Sequence, residues 1–307
     1  MAMALSLQTL VACGCEPMAR SQSPARPAAE VPPVAPEVAS PRAPVARESG
    51  RGPRLIAIAA GEFELGDDEL DQEERPAHRV SVAAFSIDLT EVTVRDYKEC
   101  VDLGGCKPPT STVFWPDITE ETAAFYSSAC NKLTDGDKSD HPMQCVDWLE
   151  ARTYCMWAGK RLPTEIEWEY AARGTDGRRY TWGSQEPSTL LANVCDSECL
   201  GWAKANGRSW KHMFTSSDGF PTTAPVQSFP GAVGPNGLYE MAGNVWEWTS
   251  SHFTESYEPD ARVKETRVIR GGGWTDDKPG TLIAANRSGT RESIRMPYLG
   301  FRCAKSP

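Results

Sequence analysis

Ten cysteines in 307 residues, eight of them from Cys100 onward, constrain this chain more than any other feature. Thiols in that number and spacing point to an oxidising compartment, where disulfides persist and staple loops that have little regular structure of their own. Proximity suggests three pairs. Cys100 and Cys106 bracket the end of a helix, Cys130 and Cys145 close a long loop, and Cys195 and Cys199 form a local pair. The last two could instead be half of a zinc site, but no second pair with metal-site spacing accompanies them and His212 is isolated. Eight cysteines allow on the order of a hundred pairings, so these assignments rest on sequence proximity alone.

Cys13 and Cys15 stand apart, behind a short apolar run from Met1 to Ala12 that lacks a basic start and is too short to span a membrane. Leu10-Val11-Ala12-Cys13 resembles a bacterial lipobox, so residues 1–15 read as a lipoprotein signal with Cys13 as the lipidated residue. The alternative is an unstructured N-terminus with incidental cysteines. Nine of the 24 prolines fall before Arg54, which makes residues 16–53 a Pro/Ala-rich linker and leaves 54–307 for the folded domain. The expectation is an exported protein, in the bacterial envelope or outside the cell, touching membrane only through its lipid. A net charge of -10 argues against nucleic acid or an anionic membrane surface as partner. Part of that charge lies in Asp67-Asp68-Glu69, Asp71, Glu73 and Glu74, which read as a solvated loop.

Period-2 patterns predict strands at Leu55–Ile58 and at 61–66, with Phe63 and Leu65 on one face, and again at 79–82 and 84–87. Thr93, Asp147 and Thr164 each precede a carboxylate three residues on, so helices start there; glycines near 104, 159 and 174 end them. Residues 107–146 show no period and read as a long ordered loop. Glu165, Glu167 and Glu169 could form an acid and base pair, but carboxylates in a first turn are what the helix dipole favours.

Residues 235–249 crowd glycines, amides, carboxylates and two tryptophans into a segment without a sustained period. Turned backbone of this kind can aim carbonyls, with Glu240 and Glu247, at a hard cation. The competing reading is a buried loop whose indoles fill a core and whose Asn244 satisfies local backbone.

Phe63 with Gly66, Thr90-Glu91-Val92-Thr93, Gly159 to Glu169, Gly243-Asn244-Val245-Trp246-Glu247-Trp248, Arg270-Gly271-Gly272 and Leu299-Gly300-Phe301-Arg302 occur in one order over about residues 54–305. As an ordered set they resemble the formylglycine-generating enzyme, or sulfatase-modifying factor, family. The resemblance implies an α+β fold, loop-rich and irregular, related to C-type lectins. It implies a Cys155–Cys303 disulfide, which would restrict the unfolded chain by about 4 to 5 kcal/mol in the entropic account. It also implies calcium at two positions: Asn193, Val194, Asp218 and Phe220 at the first; Glu240, Gly243, Val245 and Glu247 at the second. Glu240 departs from the shorter Asp or Asn usual in the family.

Oxidases of the family hold Cu(I) with two cysteines between the Arg-Gly-Gly and Gly-Phe-Arg motifs, and thiolates suit that soft ion. Here the stretch from Arg270 to Arg302 contains no cysteine, Gly273 replaces the family's serine and Tyr298 its asparagine. The four histidines show no pair spacing for a replacement metal site, and no Gly-x-Ser-x-Gly elbow marks a hydrolase. The sequence therefore reads as a non-oxidase member in which copper is not expected, the cysteine pair being absent, and no residue is assigned a catalytic role. It would be a calcium-stabilised module whose groove, bounded by Trp246, Gly273, Trp274, Asp276, Asp277 and Tyr298, takes a peptide, a glycan or an envelope protein. The alternatives are an enzyme using another metal or a partner-supplied site, and a purely structural envelope protein.

Overall fold

A computed structural model of the chain describes residues 52–307, so the lipoprotein signal with Cys13 and nearly all of the linker lie outside the described residues. The termini of the described part meet in one sheet. Strand β1 (Leu55–Ile58) pairs antiparallel with β4 (Phe85–Asp88), whose other edge takes β9 (Ala304–Lys305). Between them β2 (Gly61–Leu65) and β3 (His78–Val82) form a separate antiparallel pair, with Phe63 and Leu65 buried and Glu62 and Glu64 outside, as the alternation requires.

The central sheet has the order β7–β6–β5–β8, built from Arg287–Thr290, Val263–Arg270, Trp246–Thr254 and Leu299–Gly300. Residues 246–249 are all buried, and their alternation is lost because both faces of β5 are covered there. That is why a segment without a visible period continues into the longest strand described. Its two indoles are satisfied, Trp248 Nε1 donating to Val146 O at 3.2 Å and Trp246 Nε1 to Asp276 Oδ2 at 3.0 Å.

The three expected helices are present as α1 (Val94–Asp102), α3 (Trp148–Trp157) and α4 (Glu165–Arg173), each opened by a complete capping box. Tyr97 of α1 and Tyr154 of α3 stack with centroids 5.7 Å apart. Two more helices are present: α2 (Glu120–Ser127), inside the stretch 107–146 read from sequence as loop, and α5 (Ser197–Ala205), for which no helix was expected. Helix α2 buries only Phe125, too little apolar surface to write a period.

Among the described residues four disulfides join Cys100–Cys106, Cys130–Cys145, Cys155–Cys303 and Cys195–Cys199. The third ties α3 to the C-terminal strand across 148 residues. The acids of α4 are structural. Glu165 binds the Arg287 guanidinium, Glu167 caps its helix and pairs with Arg161, and buried Glu169 accepts from Arg270, Arg173 and Gly66 N. Glu74 corrects the reading of the acidic loop as solvated throughout, because it is buried and accepts from Arg287 N at 3.0 Å. Among the described residues no helix is long and apolar enough to cross a membrane.

Candidate functional site

Two segments build the first candidate cation position. Asn193 Nδ2 donates to Thr222 O at 2.8 Å, and Asp218 N donates to Asp196 Oδ2 at 2.5 Å, so residues 193–196 and 218–222 run past each other in opposite directions. This brings Asn193, Val194, Asp218 and Phe220 onto facing stretches of backbone. Gly243 lies beneath, its φ of 79° and a virtual Cβ 2.6 Å from Asn193 O showing that no side chain fits there. Asn193 Oδ1 and Asp218 Oδ2 are both buried without a hydrogen-bond partner. The Val194 and Phe220 carbonyls accept no hydrogen bond among the described residues. Burial pushes the Asp218 carboxyl up to about 8; the Phe220 amide opposes this, and the Asp196 carboxylate beside it reinforces it. No cationic side chain is among the principal groups acting on it. Buried carbonyl, amide and carboxylate oxygens without donors are a hard-cation ligand set, so these residues fit calcium. Sequence reasoning missed Asp196, which caps α5 through Glu198 N and Cys199 N and holds Asp218 in place.

The second position is different. Arg302 is fully buried and donates to both Glu247 oxygens at 2.8–2.9 Å, to Asp88 O and to the carbonyls of Tyr239 and Glu240. Trp168 Nε1 adds a further bond to Glu247 Oε2 at 2.7 Å. The Glu240 carboxylate turns away to accept from Gln227 N at 3.0 Å. Its second oxygen and Glu91 Oε2 are unpartnered, and both acids have raised pKa values, Glu240 at about 7, with burial the leading cause. A guanidinium thus already supplies the positive charge that Glu247 was expected to offer to a metal. The expected set Glu240, Gly243, Val245 and Glu247 does not fit calcium, because its best ligand is saturated. Among the described residues no group of three or more His, Cys, Asp or Glu side chains is gathered as metal ligands.

The stretch from Arg270 to Arg302, where the resemblance places sulfur, is closed by oxygen and aromatic groups. Asp276 Oδ2 accepts from Gly273 N at 2.8 Å and from the Trp246 indole, and burial pushes its carboxyl up to about 6. A Cβ at Gly273 would come within 3.1 Å of Trp246 and of Tyr298 O, so a serine there would press on both. Trp274 has no exposed surface and donates to Pro297 O, and Trp246 is 7% exposed. These two tryptophans and Gly273 therefore cannot be the contact walls expected of a groove. Their burial has a clear cause: Trp274 forms the floor under Trp202 and Trp210, at centroid distances of 5.5 and 5.9 Å. Tyr298, Asp276 and Asp277 stay partly exposed, and the half-buried rings beside them are Trp202, Trp210 and Tyr126. Trp202 and Trp210 carried no signal in sequence, since they come from a loop and a helix that only folding brings to Trp274.

The profile of a family described as "Sulfatase-modifying factor enzyme 1-like domain" matches residues 41–307. The chain is 34% identical over 310 residues to a formylglycine-generating enzyme of Streptomyces coelicolor, covering 88% of this chain and 94% of that one. It is 30% identical over 290 residues to an inactive C-alpha-formylglycine-generating enzyme 2 of Bos taurus, covering 83% and 89%. The solved structure of PvdO from Pseudomonas aeruginosa superimposes with a TM-score of 0.61 at 26% identity, covering 83% of this chain and 95% of that chain.

Proposed function

This chain belongs to the sulfatase-modifying factor enzyme 1-like family, and we propose that it is an exported binding module of that family, stabilised by calcium, and not a copper oxidase. One observation carries the reading: between Arg270 and Arg302 there is no cysteine, and Asp276 is committed to Gly273 N and the Trp246 indole. Soft Cu(I) lacks there the pair of thiolates that the family's oxidases use to hold it. The four disulfides support an oxidising location, and the lipidated Cys13 would hold the module at a membrane through the linker.

The contact surface lies on the half-buried aromatic shelf of Tyr126, Trp202 and Trp210, beside Tyr298, Asp276 and Asp277. Rings there offer faces for packing against a peptide or a sugar, and the acids offer a partner to a basic or hydroxyl group. The family's relatives include both a formylglycine-generating enzyme and one named inactive, so membership alone does not assign catalysis.

A second reading, an enzyme with a harder metal or a partner-supplied site, draws on one feature: the Asp276 carboxyl, which burial pushes up to about 6, beside a second half-buried acid, Asp277. Two measurements separate the readings. The purified chain should show no saturable Cu(I) binding and form no aldehyde in a Cys-Xaa-Pro-Xaa-Arg peptide; copper binding or aldehyde formation would sink the binding-module proposal. A partner captured from envelope extract should be lost with Trp210→Ala and kept with substitution of a distant exposed residue such as Leu190.

A further inference from the structure

The orientation of a buried side-chain amide is ordinarily ambiguous, but at Asn244 the backbone decides it. Ala224 N donates to Asn244 Oδ1 at 2.9 Å, and Asn244 Nδ2 donates to Ala224 O at 3.3 Å and to Glu91 Oε1 at 3.0 Å. An amide N–H can only donate and a carbonyl can only accept, so the Asn244 carboxamide has one allowed setting. Its Oδ1 then faces Asn193, and accepts from Asn193 Nδ2 at 3.1 Å. The same Nδ2 reaches Thr222 O at 2.8 Å, which uses both of its protons. Asn193 Oδ1 is left pointing away from Asn244, buried and without a donor. Asn244 N also donates to Asn193 O at 2.8 Å, so main chain and side chain are clasped together.

We propose that Asn244 is a positioning residue for the cation ligand Asn193, holding its carboxamide in the setting that presents Oδ1, and not Nδ2, to the ion. The inference rests on the calcium reading of the first position. Asn244 touches no ligand itself; it acts through Asn193, and Glu91 in turn fixes Asn244. A hard cation accepts the carbonyl oxygen of an asparagine and is repelled by its amide protons, so a free rotation by half a turn would exchange a ligand for a repulsive contact. The φ of 62° at Asn244 makes glycine the substitution that removes the side chain with least strain on the backbone.

The test uses the full chain stripped with chelator and titrated calorimetrically with calcium, then with terbium, whose emission lifetime in light and heavy water counts bound waters. Wild type should bind one ion, and Asp218→Asn should abolish it; failure of this control overturns the calcium reading and the inference with it. Asn244→Gly should weaken calcium by roughly 10- to 100-fold and add about one water to bound terbium. Asn193→Ala should do the same, and the double variant should be no worse than Asn193→Ala alone, because the two act as one unit. An additive loss in the double variant, or unchanged affinity and hydration in Asn244→Gly, overturns the inference and leaves the calcium reading standing. Should Asn244→Gly not fold, wild-type protein with nitrogen-15 asparagine decides: the Asn193 side-chain amide protons should resist exchange before and after calcium, and rapid exchange in the metal-free form overturns the clamp.

Discussion

The two candidate cation positions lie on either side of Asn244 and are made of the same oxygen chemistry, yet they are in opposite electrostatic states. At the first position Asn193 Oδ1 and Asp218 Oδ2 have no donor, and the charged groups pressing on Asp218 are other acids. At Glu247 the carboxylate is wrapped by Arg302 and Trp168, and the neighbouring carbonyls are turned onto the same guanidinium. The difference teaches that a ligand pattern identifies a metal position only when its oxygens are unspent. Resemblance supplied both positions; hydrogen bonding separates them.

The strongest challenge to this contrast is Arg302→Met. Removing a buried cation leaves Glu247 unpaired beside Glu91 and Glu240, and should cost about 3 to 5 kcal/mol in a urea unfolding experiment. A loss below about 1 kcal/mol would mean that Glu247 does not depend on Arg302, and the second position would be open again.

The next effect is the calcium response itself. At a free calcium concentration roughly 100 times Kd, binding should add about 3 kcal/mol of stability, read as a rise in Tm that chelator reverses. Asp218→Asn should remove the response, whereas Glu247→Gln should lower stability and leave the response intact. A response lost in Glu247→Gln and kept in Asp218→Asn would invert the comparison.

Acid should weaken the loop of the first position through His141. Its Nδ1 meets Thr223 Oγ1 at 3.0 Å, one residue beyond the carbonyl that holds Asn193, and burial, reinforced by Lys138, pushes its pKa down to about 4 from 6.5. Between those values the unfolded chain binds the proton and the folded one does not, so stability falls as pH falls. The expected loss is about 2 kcal/mol between pH 7 and 5. Comparing wild type with His141→Gln isolates it, because buried Asp88, Glu91 and Glu240, with raised pKa values, tilt the total the other way. Equal slopes for the two proteins would show that His141 titrates normally.

The smallest effect should come from Glu240→Gln. The substitution keeps an acceptor for Gln227 N and removes a carboxyl already raised to about 7, so stability should shift by no more than about 1 kcal/mol. Loss of a second bound calcium in this variant would break the contrast directly.

Much of the fold was legible along the chain. Capping boxes at Thr93, Asp147 and Thr164 marked three helices because their signal lies within four residues. The local disulfides followed from proximity, and Cys155–Cys303 from the resemblance. Helix α2 was hidden by its single buried residue, and β5 by burial on both faces. The ligand positions were readable as residue types, but the groove was not: Trp246 and Trp274 looked like exposed aromatic walls, and packing under Trp202 and Trp210 and the bond to Asp276 put them inside.

By itself, then, the sequence determined the family, the three capped helices, the disulfide framework and the absence of cysteine between Arg270 and Arg302, because each is written in residue identity and short spacing. Only the tertiary structure decided which oxygens are available. Arg302 reaches Glu247 across 55 residues, Asn244 reaches Glu91 across 153, and Asn193 reaches Asn244 across 51. A side chain's capacity to bind an ion depends on whether another group already satisfies it, and in this chain those groups are distant in sequence and adjacent only once folded.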